Sequence, residues 1–448
     1  MRTINFSYPI YNFLLFLKLS EIIIKKFIKF VLLSNDCEKK RFFWERLGFL
    51  PNKIRKDCKI NKIKWIWIHA NSIGEVNASQ RLVSIIKEKY PEIHILLTTT
   101  NFSADERARQ LNIGNAVVFF PYDVPVIIKQ FLSIFNPRCI IIIESDIWPN
   151  FVKLCKNRGI PVIVVSGIYT NGYNRSLGLR YFYNYKFRLS KDVLENIDSF
   201  SMQTEDDAKR LSFVIPYHKN IGVTGNLKFS YLNNKLSAQE KSYYQRLFDI
   251  KETTPVFIAG NLHRTEDEMV IDAFRIVKKI ISNAVMISAP RFMEDICSLE
   301  SLLAERMFTY VKRTELDTQE RANKDVILLD TMGELAKVYG IGNVAFVGGS
   351  LVYLGDMFGG HNILEPAVLG VPVLFGPYMH NFQNLADLFC QRKAAVQVRD
   401  SEDLANCVVK FLINQEESRK IIANATNIFE ENKDVLDKTF LFIDAKVK

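Results

Sequence analysis

Two glutamates stand where an apolar, strand-like run gives way to helix-like sequence. Glu75 closes the segment His69-Ala70-Asn71-Ser72-Ile73-Gly74-Glu75, directly after the run WIWIH at 65–69. Glu144 opens Glu144-Ser145-Asp146-Ile147-Trp148-Pro149-Asn150, directly after CIIII at 139–143. A glycine lets a chain turn sharply out of a strand. A carboxylate in the first turn of the next helix lies in the partial positive charge of the helix N-terminus. Glu75 is therefore expected to be ionised, and an ionised carboxylate at a strand's carboxyl end is a candidate general base. A plainer role remains open for both segments: Glu75 as a helix cap, and Glu144 and Asp146 as caps beside a core Trp148. Pro149 suits the first position of a helix. The run ESD is not a DxD metal motif, and no His/Asp cluster suggests a metal site.

These residues need a scaffold, and the surrounding pattern supplies one. Short β-branched-rich runs recur at 65–69, 94–98, 116–120, 139–143, 161–165 and 201–203, separated by segments of helical length such as 76–90. Runs apolar on both faces are buried parallel strands. After a polar stretch at 232–247 a second series follows, at 256–259, 285–289, 326–329, 344–347, 371–375 and 394–398. At roughly 100–200 residues per domain, 448 residues make two or three domains. The expected fold is α/β: two doubly wound, Rossmann-like domains, which resemble the two halves of a GT-B glycosyltransferase facing across a cleft. The expected boundaries are an N-terminal segment over 1–45, a first domain over 46–225 and a second over 226–448. Ligands of such sheets bind at the carboxyl ends of the strands, where both glutamates fall.

Charge is placed unevenly. Residues 1–64 hold fifteen Lys/Arg against five Asp/Glu, which is the whole of the +10 net charge. The remaining body is neutral, which argues against a nucleic-acid partner. Residues 4–34 are rich in aromatic and aliphatic side chains but are interrupted by Lys18, Glu21, Lys25, Lys26 and Lys29. A spanning helix needs about 20 nearly uncharged residues. The segment reads instead as an interfacial element whose lysines reach lipid headgroups; a helix packed on its own domain is the alternative. The basic run that follows suits the anionic cytoplasmic leaflet of a cell inner membrane. The seven cysteines form no CxxC pair, as expected of reduced thiols.

Taken together the motifs resemble the 3-deoxy-D-manno-octulosonic acid (Kdo) transferase family, which reads HAxSxGE and then E-T/S-E-x-W-P-N. The likeness begins at Arg46-Leu47-Gly48 and continues through Gln203–Ala208, Thr224–Phe229, Ala259-Gly260, His263, Glu266 and Pro290-Arg291. It ends with Asp330–Leu335, Gly348-Gly349-Ser350 and Gly360–Pro366. The resemblance implies a Gram-negative lipopolysaccharide (LPS) core enzyme. Such an enzyme transfers Kdo from CMP-Kdo to the 6′-hydroxyl of lipid IVA, a lipid A precursor. It inverts the anomeric carbon and uses neither metal nor cofactor. It implies Glu75 as the base and Glu144 as a second essential acid.

On that reading the second domain holds the donor. Met332, Gly333 and Glu334 can present helix-start N–H groups to the phosphate. Gly348 and Gly349 let backbone approach the ligand. Glu365 can accept the ribose hydroxyls, and Arg291, after Pro290, can reach phosphate or base. Lys228, His263 and Asn362 are further donor-side candidates. Departures from the family pattern are Asn261-Leu262 for its Ser-Thr, Arg264-Thr265 after His263, Phe292 for its His, and Ser166-Gly167-Ile168 for its Asn-Ala-Arg. The loop between Ser350 and Gly360 is also longer. A GT-B enzyme using a UDP-sugar, or a membrane-docked relic without activity, are the rival readings.

Overall fold

The computed structural model describes residues 8–59, 63–144, 146–169, 191–232, 236–317, 323–355 and 359–447. Ser145 and part of the long loop after Ser350 lie outside them. The chain forms two compact units, Met1–Tyr231 with Asn432–Lys448, and Leu232–Glu431. Among the described residues each unit contains one seven-stranded sheet.

The first sheet comprises β1 (Lys64–His69), β2 (Ile93–Thr99), β3 (Ala116–Phe119), β4 (Pro137–Ile143), β5 (Val162–Gly167), β6 (Ser199–Met202) and β7 (Ile221–Val223). Its order is β3-β2-β1-β4-β5-β6-β7 and every pairing is parallel. Period-two alternation divides its core: Trp65 and Trp67 pack on one face, Ile66 and Ile68 on the other. The order reverses between β1 and β4, so their carboxyl ends open the crevice where such sheets bind ligands.

The second sheet comprises β8 (Val256–Leu262), β9 (Val285–Pro290), β10 (Tyr310–Lys312), β11 (Val326–Leu328), β12 (Val344–Val347), β13 (Val373–Phe375) and β14 (Val396–Gln397). Its order is β10-β11-β9-β8-β12-β13-β14, again all parallel, and it reverses between β8 and β12. The sequence pattern misses β7 and β10. Both are three-residue edge strands, too short to show a run.

Three boundaries differ from expectation. The division falls at Tyr231/Leu232 rather than after 225, so Lys228 belongs to the first unit. The last helix, Val435–Val447, also returns to the first unit, where Val435, Phe440, Ile443 and Val447 join the core under β1, β4 and β5. At the other end, helix Cys37–Arg46 is already part of the body, ahead of residue 46. Its Phe42 stacks on Phe102, and buried Glu45 accepts the Phe119 N–H at 2.9 Å.

Helix Tyr8–Lys26 docks by one side and exposes the other. Tyr11, Leu15 and Leu19 are buried, and the Tyr11 hydroxyl donates to Asp123 at 2.7 Å. Phe13, Phe16, Leu17 and Ile24 face out, followed beyond the helix by Ile28, Leu32 and Leu33. Among the described residues no helix is long and apolar enough to cross a membrane.

Candidate active site

The loops after β1 and β4 bring Glu75 and Glu144 to the crevice of the first sheet. Ser72 caps helix Ile73–Lys89 by accepting the Glu75 N–H. The Glu75 carboxylate folds back over this turn, accepting the Asn71 N–H at 2.7 Å and the Ser72 hydroxyl at 2.9 Å. Glu144 takes a left-handed backbone, φ 62°, immediately after β4. A non-glycine residue in that region costs of order 1 kcal/mol and persists only when its surroundings fix it. Here the Glu144 N–H donates to the Val165 carbonyl at 2.9 Å, and the side chain meets Lys228 Nζ at 2.6 Å.

Lys228 reaches Glu144 by crossing Gly74. A Cβ on Gly74 would lie 3.2 Å from Lys228 Cε, so the glycine gives the lysine its path. The result is a cluster of two carboxylates around one ammonium. Burial pushes the Glu75 carboxyl up to about 8, the negative charge of Glu144 adds to the rise, and Lys228 opposes it. Burial also works against the Lys228 charge, but the ion pair with Glu144 outweighs it and raises that group. The expectation that the helix N-terminus keeps Glu75 ionised is therefore corrected. Desolvation next to a like charge prevails over two hydrogen bonds and the helix end.

Behind this cluster His69 links the two loops. Its Nδ1 lies 3.0 Å from Thr98 Oγ1 and its Nε2 2.9 Å from Asp146 Oδ2, all within the buried end of the sheet. Phe120 packs against His69 and stacks with Trp148, so Trp148 serves the core.

The second unit gathers its own polar residues where β8 and β12 end. Glu266, buried, accepts the N–H groups of His263 at 3.1 Å, of Gly349, of Ser350 at 3.2 Å and of Leu351 at 3.1 Å. The Gly348-Gly349 turn is thereby bound around one carboxylate, and a Cβ on Gly348 would sit 2.5 Å from it. Burial raises the Glu266 carboxyl, and these four N–H bonds hold the rise in check. His263 and His361 touch through their Nε2 atoms at 2.9 Å. Burial, then the nearby Arg291 charge, pushes His361 down to about 3 and lowers His263 in the same way. Both rings are thus neutral beside the Arg291 charge.

The other donor-side residues are dispersed over this face. Arg291 follows Pro290 at the end of β9, and its N–H donates to the Leu262 carbonyl. Phe292 sets its edge against His263. Asn362 Nδ2 donates to Glu365 Oε1 at 3.2 Å. Gly333 has φ 87° and Met332 is exposed, ahead of a helix of only four residues, Leu335–Val338. Glu334 is held within the unit, by Arg313 Nε at 3.1 Å and by the Thr331 hydroxyl. Sequence reasoning assigned no role to His361 or to the anchoring by Glu266. A Glu three residues after a strand-end His reads as an ordinary helix start. Among the described residues no three His, Cys, Asp or Glu side chains are grouped to hold a metal ion.

Two Rossmann-like sheets with polar clusters at their switch points make up the GT-B fold. A crystal structure of a glycosyltransferase from Rickettsia africae shares the fold. The TM-score is 0.52 at 11% identity, over 86% of this chain and 99% of that one. Residues 41–231 match the model of the 3-deoxy-D-manno-octulosonic-acid transferase (kdotransferase) family. A 3-deoxy-D-manno-octulosonic acid transferase of Haemophilus influenzae is 29% identical over 399 residues, 88% of each chain. A bifunctional glycosyltransferase/methyltransferase of Fusobacterium nucleatum is 32% identical over 394 residues, 86% of this chain but 58% of its own length. Over most of its length the chain is similar to Kdo transferases.

Proposed function

We propose that this protein transfers Kdo from CMP-Kdo to the 6′-hydroxyl of lipid IVA, with Glu75 as general base. The observation that carries the reading is the Glu75–Lys228–Glu144 cluster at the β1/β4 crevice. A base works best when its pKa lies near the working pH, and about 8 meets that need. The acceptor oxygen attacks the anomeric carbon of Kdo and gives its proton to the Glu75 carboxylate. The bond from that carbon to the phosphate oxygen breaks, CMP departs with the electron pair, and the configuration inverts. The second unit holds the donor: Arg291 and the His263–His361 pair, beside the Gly348-Gly349 turn that Glu266 braces, face the phosphate and the Kdo carboxylate. Glu365, steadied by Asn362, takes the ribose hydroxyls. Protein groups carry the charge stabilisation, and the scheme calls for no metal or other cofactor.

The N-terminal segment supports a location on the cytoplasmic face of the inner membrane, where lipid IVA presents its sugars. Its exposed row of Phe13, Phe16, Leu17, Ile24 and Leu33 suits an acyl boundary. The lysines beside that row suit anionic headgroups.

Mass spectrometry of lipid IVA after incubation with CMP-Kdo tests the reading, and the mass gain counts the sugars added. Glu75→Ala is expected to lower transfer at least about 1,000-fold, within the range known for loss of a catalytic proton-transfer group, with CMP affinity unchanged by calorimetry. Normal turnover by that variant would refute the assignment. A donor that competes with UDP rather than CMP would instead favour a UDP-sugar enzyme.

A further inference from the structure

Lys228 owes its place to its backbone. Asn226 Oδ1 accepts the Lys228 N–H at 2.9 Å, and Asn226 Nδ2 donates to Gln203 Oε1 at 3.1 Å. Gln203 Nε2 in turn donates to the Ser166 carbonyl at 3.1 Å, and Ser166 Oγ accepts the Leu227 N–H at 3.0 Å. These bonds close a ring that joins the ends of β5 and β6 to the turn carrying the lysine. Ser166 adopts φ 56°, a left-handed conformation like that of Glu144 one strand away. Such strain persists only where the surroundings over-determine it.

The same turn is pinned from behind. Thr224 Oγ1 is bonded to Ser201 and to Thr439 of the last helix, the latter at 3.1 Å, and Leu227 is fully buried. Glu144 and Glu75 face the ammonium, and Asp146, held by His69, acts on Glu75 in turn. Coulomb energy varies as the inverse of distance, so a turn that yields would weaken every one of these interactions. Ser166 is also one of the positions at which this chain departs from the family pattern.

We propose that Ser166, Gln203 and Asn226 are positioning residues that fix the Lys228 ammonium against Glu144 and so set the protonation of the base. The consequence for turnover rests on the reading of Glu75 given above. The placement of Lys228 does not.

Asn226→Ala removes both side-chain links, whereas Asn226→Ser keeps a hydroxyl able to accept the N–H two residues on. Crystal structures and pH–rate profiles of both variants test the proposal, with thermal melting to verify folding. In Asn226→Ala the Lys228–Glu144 pair is expected to open beyond ion-pair distance. Transfer at pH 7 falls about tenfold as the alkaline rise moves up by about one unit. Asn226→Ser restores both. Gln203→Met, nearly isosteric, breaks the ring from β6 and should displace the lysine in the same way. An intact Lys228–Glu144 pair in both Asn226→Ala and Gln203→Met overturns the proposal, as does a serine variant that restores neither readout. Turnover by Glu75→Ala would overturn the base instead, and the crystallographic comparison would still decide the positioning.

Discussion

Replacing Lys228 with methionine removes the ammonium and keeps the apolar stem. In the native cluster that ammonium stands 2.6 Å from Glu144 and holds Glu75 below the value that burial and Glu144 would impose. With the Glu75 carboxyl at about 8, roughly one site in ten is ionised at pH 7, since each unit is tenfold. A nearby opposite charge lowers a carboxyl by about one to three pKa units. Lys228 pairs directly with Glu144 and opposes the rise of Glu75 only through space, so the lower part of that range applies. The expected upward move is therefore about one to two units, and kcat/KM at pH 7 falls about 10- to 100-fold. The loss should be recovered as the pH is raised toward 10.

The assay is the initial rate of Kdo transfer to lipid IVA from pH 6 to pH 10, variant beside native. The native profile should rise through about 8. A variant slowed equally at every pH, with its rise unmoved, would refute the claim that Lys228 sets the protonation of Glu75. Stability carries the same sign. Above the unfolded carboxylate value the unfolded chain releases the Glu75 proton while the folded chain keeps it. Glu75 thus destabilises the fold increasingly from about pH 4.5 to about pH 8. Lys228→Met extends that window upward and leaves Glu144 unpaired, so it should lower stability by about 3–5 kcal/mol, read as a lower melting temperature.

Two further outcomes test other parts of the molecule. Glu266→Gln replaces an acceptor of four N–H bonds with a neutral amide whose NH2 opposes them. A hydrogen bond to a charged group is worth about 1.5–3 kcal/mol, so the variant should melt lower and bind CMP more weakly, by calorimetry. Phe13→Ser with Phe16→Ser removes two exposed rings, each worth about 1.5–3 kcal/mol on insertion. Sedimentation with phosphatidylglycerol vesicles should fall at least about tenfold, leaving a remainder abolished by high salt; undiminished sedimentation would argue against an acyl-inserting face.

Much of the architecture was legible because parallel sheets buried on both faces write themselves as apolar runs. All six runs of each series correspond to strands of the sheets, with ends displaced by a few residues. Glu144 was legible for the same reason, as the polar residue that immediately follows such a run, and Glu75 as the carboxylate in the helix start after another. Lys228 was misplaced because it follows the short edge strand β7, which has too few residues to show a pattern. Its apparent membership of the second domain came from sequence order alone. Glu266, His361 and the ring of Ser166, Gln203 and Asn226 act through partners as many as 98 positions distant, and no local pattern records such partners.

The sequence by itself determined two parallel α/β sheets, the strand ends at which polar residues gather, and a basic, aromatic N-terminus. Those follow from short-range periodicity and from the steric needs of glycine and proline, which act within a few residues. Only the tertiary structure decided that the last helix returns to the first unit, and that Lys228 lies between two glutamates. It also decided that burial and the Glu144 charge raise the Glu75 carboxyl. Both effects arise only when segments far apart in the chain are packed together.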